Sequence, residues 1–221
     1  SFELKKLHLH FVRPSFRASL FSLKTSFIYF LSDFSATAFN AISTIVIGLV
    51  FSSTKVAFFG LSIQIIGATQ SLLGQLSSGI YPEMVRQKSL KFINQVSQKT
   101  TPLVLLFTLA VIIFTPIGLQ ILAGDKYLPA ASLIQILAIT IFFSFCNTLL
   151  GWPTLGVINH QKQVTISTVA STFFNLFSLL TLLLFGQLTL HRVALIRVIT
   201  ELVLFCIRLY YFRKFRQEFN L

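Results

Sequence analysis

The sequence predicts an all-α fold, namely a polytopic membrane protein built as a bundle of about six transmembrane helices. Hydrophobic residues make up 54% of its 221 residues and charged residues only 11%, whereas a soluble domain carries about 25% charged residues. Continuous apolar runs reach the roughly 20 residues that a helix needs to cross a bilayer, and basic residues lie in the gaps between them. This composition excludes an ordinary soluble enzyme, a disordered tail and a disulfide-rich secreted domain.

Six apolar segments are predicted to span the membrane, and they are taken here in chain order. They cover residues 25–51, 54–80, 102–122, 130–157, 164–186 and 190–212. Together they form a membrane domain over 25–212. Residues 1–24 precede it as a basic amphipathic linker, suited to lie on an anionic membrane surface, and residues 213–221 follow as a basic tail. Because the first residue is Ser1 and not Met, we expect the chain to start partway through a longer protein.

Four prolines punctuate these segments. Pro82 is expected to close the second span and Pro102 to open the third, because a proline at the first helical turn removes no needed N–H. Pro116 and Pro153 lie inside spans and are expected to kink their helices. Such kinks fit either a helix that bends during transport or a static packing feature.

The formal net charge of +12 follows the topology of the chain. Thirteen basic residues lie in 1–24, 82–101, 158–163 and the tail, against Lys55, Lys126 and Arg192 in the alternate gaps. The positive-inside rule therefore predicts that both ends are cytoplasmic. This distribution also argues against nucleic acid as a partner.

Metal, cofactor and catalytic signatures are absent from the sequence. Cys146 and Cys206 lie in apolar runs and are interpreted as small buried hydrophobic residues, and no histidine has a second ligand at metal spacing. No nucleophile, P-loop or metalloprotease motif occurs. We therefore expect no metal, no cofactor and no enzymatic activity.

Polar side chains recur at helical spacing inside the predicted spans. These stripes comprise Asp33, Thr37, Asn40 and Thr44 in the first span; Gln64, Ser71, Gln75 and Ser78 in the second; Ser144, Asn147, Thr148 and Gly151 in the fourth; and Thr168, Ser171, Thr172 and Asn175 in the fifth. Each stripe either joins helices through hydrogen bonds or lines a polar cavity. Contacts between helices are favoured for the small and hydroxylated residues. The cavity is favoured for Asp33, Asn40, Gln64 and Gln75, which are costly to bury unpaired, although Asp33 also fits a position near the headgroups.

The last span carries Arg197, Thr200, Glu201 and Arg208 on one face. Arg197 and Glu201 are one turn apart, so they form either a self-neutralising pair or part of a positively biased cavity wall that meets an anionic headgroup. Arg208 lies near the cytoplasmic end, where its long side chain could instead reach the membrane surface. Arg197 and Glu201 complete the set of candidate cavity residues.

Four segments resemble those of a known family. Residues 120–138 (QILAGDKYLPAASLIQILA) resemble its Gly-Asp/Glu-x-Tyr turn followed by Ala-Ala and a Leu-rich helix, and residues 78–82 (SGIYP) resemble a helix end before a basic stretch. Residues 156–162 (GVINHQK) resemble its short polar loop, and residues 197–201 (RVITE) resemble its last helix. In this order they resemble the C-terminal half of a Wzx-type flippase for O-antigen or capsule repeat units. The chain departs from the family at Gly186, after which the usual Gly-x-x-Gly-Ala turn is missing.

The resemblance implies one lobe of a two-lobe, twelve-helix transporter in the bacterial inner membrane. Its substrate would be an oligosaccharide on undecaprenyl diphosphate, which crosses through a polar cavity while the lipid tail stays in the bilayer. The implied partners are the bilayer, this lipid-linked substrate, an N-terminal six-helix half and a polysaccharide polymerase. Three alternatives stay open: an ion-coupled drug exporter of the same superfamily, a membrane-embedded acyl- or glycosyltransferase, and a non-catalytic subunit of an export complex.

Overall fold

The computed structural model describes residues 16–219, and this part of the chain is almost entirely helical. Six α-helices follow one another, together with three short turns of other helix types. The α-helices are α1 (Phe16–Val50), α2 (Ser53–Gln87), α3 (Leu90–Ala123), α4 (Ala131–Leu150), α5 (Gln161–Leu184) and α6 (Leu190–Lys214). Two 3₁₀ turns cover Asp125–Ala130 and Arg216–Glu218, and a π-helical turn, here called the π-turn, covers Gly151–Gly156.

Within residues 16–219, four helical segments are long and apolar enough to cross a membrane, as expected of a helical membrane protein. They are Ser53–Gln87, Leu90–Ala123, Asp125–Gly156 and Gln161–Leu184, which match the second to fifth predicted spans. Helix α6 has the length for a span, about 37 Å at 1.5 Å per residue, but carries Arg197, Glu201 and Arg208. The number of six spans therefore stays a prediction.

The helices surround a central α4. It packs against α2, α3 and α6, while α5 packs against α1 and α6. The apolar core beside α4 is built around Leu133, Ile134, Leu137 and Ile141, each at most 2% exposed. Many other large apolar side chains face outward, as Leu72 and Phe177 do. Such an exterior suits lipid, which is as apolar as these side chains.

The ends of α2 and α3 differ from the prediction at two prolines. Pro82 and Pro102 both lie inside helices: α2 continues to Gln87 and α3 already begins at Leu90. The chain turns instead at Lys88, which adopts a left-handed conformation with φ 47°, and at Ser89, whose hydroxyl caps α3 by accepting from the Phe92 N–H. The prolines mark where the apolar runs end, whereas the helices extend into the polar stretch between them.

Pro116 lies inside α3 and Pro153 inside the π-turn, and a side chain bonds a backbone carbonyl near each. A helical proline frees the carbonyl four residues earlier. Pro116 frees Ile112 O, which accepts from Gln135 Nε2 of α4 at 3.1 Å. In the π-turn around Pro153, where backbone bonds run to the carbonyl five residues earlier, Leu149 O accepts from Thr154 Oγ1 at 2.6 Å. The bond from α4 therefore satisfies the carbonyl that Pro116 frees.

The turn between α5 and α6 closes without the family's glycine pattern. Gly186 takes φ 63°, and the Gln187 N–H bonds back to Leu182 O at 2.9 Å. Thr189 then caps α6, and Arg192 Nη1 donates to Gln187 O at 2.7 Å. Gly186, the Thr189 cap and Arg192 therefore hold the connection between α5 and α6.

Candidate functional site

A polar cavity of about 250 Å³ lies within the helical bundle. Every α-helix except α3 contributes to its wall. The lining side chains are Ser32, Asp33, Gln70, Ser144, Asn147, Thr148, Trp152, Thr168, Ser171, Thr172, Arg197, Thr200, Glu201, Leu204 and Arg208. All but two of these are polar or charged, so the cavity differs from the apolar core and exterior around it.

Asn147 of α4 holds the Glu201 segment of α6. Its side chain is 2% exposed, and its Nδ2 donates to the Glu201 carboxylate at 2.7 Å and to the Glu201 carbonyl at 3.0 Å. Its Oδ1 is buried and has no hydrogen-bond partner. A donor that binds a carboxylate fixes the position of that charge, so Asn147 orients Glu201 in the cavity.

Arg208 joins three helices from the inside. Its Nε donates to Ser167 Oγ at 3.2 Å, its Nη1 to Asn147 O at 2.6 Å and its Nη2 to Thr168 Oγ1 at 2.9 Å. The residue is 8% exposed. The interpretation that Arg208 reaches the membrane surface is therefore wrong, because its guanidinium bonds α4 and α5 instead.

Some polar side chains both bond a neighbouring helix and line the cavity. Thr172 donates to Ser35 O of α1 at 3.1 Å while it also lines the cavity. Deeper in α5, Asn175 Nδ2 donates to Thr200 Oγ1 of α6 at 3.2 Å. The two interpretations of the polar stripes thus describe one arrangement, in which side chains that hold the helices together also form the wall.

Three of the predicted cavity residues line this cavity. Arg197 and Glu201 are buried, at 5% and 9% exposure, and Asp33 is exposed at its edge. Arg197 and Glu201 share the predicted face of α6, while their direct pairing stays a prediction. Asn40 lies in α1, but its side chain falls outside the described residues.

Gln64 and Gln75 do not line this cavity, contrary to the prediction. Both are exposed on α2, and the helix turns a different residue, Gln70, into the wall. Gln70 Nε2 also donates to Thr140 Oγ1 of α4 at 3.1 Å. Helical spacing shows which polar residues share a face but not which face packs inward, so Gln70 could not be selected from the sequence.

Of the two interpretations of the charged face of α6, the lining of the cavity does not fit the positively biased wall. Two arginines, Arg197 and Arg208, face two carboxylates, Asp33 and Glu201. The formal charges of these four groups cancel, because α1 contributes a second acid to the lining. The cavity is therefore polar and charge-balanced.

Metal-ligating residues do not gather anywhere in residues 16–219 in groups of three or more. Both cysteines are free; Cys146 is buried as predicted, and Cys206 is exposed among the apolar residues of α6.

The fold and the cavity define a class, a helical membrane protein with a charged polar cavity inside its bundle. Comparisons with protein-family models, with curated proteins and with solved structures find no match to this chain.

Proposed function

We propose that this chain is a six-span lobe of a transporter that moves a lipid-linked oligosaccharide across a bacterial cytoplasmic membrane. The observation that carries the proposal is the cavity, where four charged side chains lie together with hydroxyls and amides among the helices of the bundle. Ionisable groups inside a membrane are costly and mark substrate pathways. The resemblance of residues 120–138 and 197–201 to a flippase supplies the cargo class.

A second observation supports a hydrophilic pathway. Gln64, Ser71, Gln75 and Ser78 are all exposed along one face of α2, although α2 is apolar enough to cross a membrane. An amide in contact with lipid has no hydrogen-bond partner there. We therefore propose that this face of α2 borders water between this lobe and a second one.

Labelling in the native membrane tests the pathway. In a chain whose Cys146 and Cys206 are replaced by Ala, Gln75→Cys should react with a membrane-impermeant maleimide applied from one side or the other. Leu76→Cys is the matched control, because Leu76 is also exposed, at 50%, but lies about 100° around the helix. Equal and negligible labelling of both would contradict a water-lined face.

Genetics tests the cargo. Deleting the gene should remove surface polysaccharide and cause lipid-linked intermediates to accumulate. Complementation with Arg197→Ala should fail at unchanged protein level, since Arg197 is a buried cation of the cavity. Arg192→Ala should complement, because Arg192 lies on the same helix but is exposed and outside the cavity. Normal glycan without intermediates in the deletion strain would rule out the flippase, unless a second flippase is present.

An ion-coupled drug exporter is the second candidate, and the carboxylates of Asp33 and Glu201 favour it. Two acids in one cavity are suited to take up protons or cations during transport. In that case the deletion strain should keep its surface polysaccharide and become more susceptible to cationic drugs. The same strain therefore separates the two candidates.

A further inference from the structure

A second cavity, of about 280 Å³, adjoins the first between α2 and the π-turn. Thr148, Trp152 and Arg208 line both cavities, and Ser77, Ser78 and Tyr81 of α2 belong to the second alone. Arg208 therefore stands at the boundary of the two spaces. None of the three α2 residues lines the cavity assigned to transport.

Arg208 lines the second cavity and has hydrogen-bonding capacity left. A guanidinium has five N–H groups, and the three bonds of Arg208 use one on each nitrogen. Each terminal nitrogen therefore keeps one N–H. All three acceptors are neutral, and within residues 16–219 no carboxylate oxygen lies within 4.0 Å of its guanidinium. Because no carboxylate is in contact with the guanidinium, its two remaining N–H groups can donate to the oxygens of an anion.

Ser77 supplies a second, independent indication of a ligand. It is 1% exposed, it lines the second cavity, and its Oγ has no hydrogen-bond partner. Buried hydroxyls are nearly always bonded. A ligand atom in the cavity would give this one its acceptor. Tyr81 is 41% exposed at the same cavity and adds a phenol O–H near its opening.

The position of the second cavity along α2 and α6 indicates which anion it binds. Tyr81 is followed by Glu83 and Arg86, which form an exposed ion pair at 2.6 Å, and Arg208 is followed by the exposed Arg213. Tyrosine is enriched at the membrane interface, where lipid headgroups lie, so the exposed Tyr81 side of the cavity opens toward the headgroups while Arg208 stays buried. An arginine fork with hydroxyl donors suits phosphate oxygens.

We propose that the cavity between α2 and the π-turn is a phosphate-binding site, in which Arg208, Ser77 and Tyr81 bind the phosphate of a lipid headgroup. Arg208 donates the two remaining N–H groups of its terminal nitrogens, Ser77 donates its unbonded O–H, and Tyr81 closes the outer side. The inference stands whichever cargo the protein transports, because it rests on the donors of this second cavity.

Trp152 makes the test direct, because it is the chain's single tryptophan and lines the cavity. The full chain, purified in a phosphate-free maltoside detergent, is titrated with inorganic phosphate in one arm and with a short-chain phosphatidic acid in the other. We expect a saturable change in Trp152 fluorescence with the lipid. Saturation by both probes would also support a phosphate site and would show that free phosphate is a second source of ligand.

The variants separate binding from folding. Ser77→Ala removes one donor and leaves every bond of Arg208 in place, so affinity should fall about tenfold, as for a hydrogen bond to a charged group. Tyr81→Phe should also weaken binding. Ser43→Ala is the control, since Ser43 is likewise 1% exposed with an unbonded Oγ but lines neither cavity. No saturable signal with either probe, or equal affinity of Ser77→Ala and Ser43→Ala, would overturn the proposal.

Discussion

Replacing Asn147 by Ala should destabilise the bundle more than a substitution that removes a hydrogen bond to an uncharged acceptor. The change removes the donor to the Glu201 carboxylate at 2.7 Å and to the Glu201 carbonyl at 3.0 Å. It leaves a buried carboxylate oxygen without that donor. Bonds to charged groups are worth about 1.5–3 kcal/mol in soluble proteins, and bonds between membrane helices average about 0.6 kcal/mol. Together these predict a loss of about 2 kcal/mol in the free energy of unfolding.

Asn175→Ala provides the matched comparison. Asn175 is equally buried, also bonds α6, and donates to the neutral Thr200 hydroxyl at 3.2 Å. Both substitutions delete the same atoms, so the cost of the cavity they leave is similar. Asn175→Ala should therefore cost about 1 kcal/mol less than Asn147→Ala.

Reversible unfolding in mixed detergent micelles, followed by circular dichroism, measures both free energies. Adding Glu201→Gln should relieve part of the Asn147→Ala defect, because a neutral amide needs the lost donor less than a carboxylate does. A double-mutant cycle should give a coupling of about 1–2 kcal/mol. An Asn147→Ala variant no less stable than Asn175→Ala, or a cycle that is additive, would refute the role assigned to the bond between Asn147 and Glu201.

Two further substitutions test the packing around α4. Gln135→Leu should lower the free energy of unfolding by about 1 kcal/mol, because it removes the donor to the carbonyl that Pro116 frees. In a Pro116→Ala background the helix can bond that carbonyl itself, so the same change should cost less. An equal cost in the two backgrounds would contradict this explanation. Gly151→Ala should destabilise the protein, because the added Cβ would lie 3.0 Å from Arg208 Nη1. Gly67→Ala is the control, since its Cβ meets no atom within 4 Å, and it should be neutral or stabilising. Thermal melting in detergent compares the two variants, and equal melting temperatures would count against a close approach at Gly151.

Hydropathy predicted the helices well, because a membrane helix satisfies its own backbone hydrogen bonds and needs only apolar side chains outside. The predicted segments over 130–157, 164–186 and 190–212 agree with the observed helices to within a few residues. The prolines misled the prediction at Pro82 and Pro102. Hydropathy marks where an apolar run ends, and α2 and α3 continue as helices into the polar stretch between them.

The sequence predicted which polar residues share a face of one helix, but it did not predict which of these faces meet to form the cavity. The spacing of Arg197 and Glu201 on α6, and of the hydroxyls on α4 and α5, correctly grouped residues that line one cavity. Gln64 and Gln75 were grouped just as correctly, yet their face of α2 is exposed. A helical period relates residues on one helix and carries no information about the rotation of that helix against its neighbours.

The sequence by itself determined that this chain is an apolar helical protein and which polar residues each helix carries, because both depend on local composition and on the 3.6-residue period. Only the tertiary structure decided how the charges are placed. It places Asp33 of α1 in the wall of the cavity that the arginines of α6 also line, and it buries Arg208 against Asn147 and Thr168. Such contacts join residues 40 to 61 positions apart, and the packing of whole helices selects them.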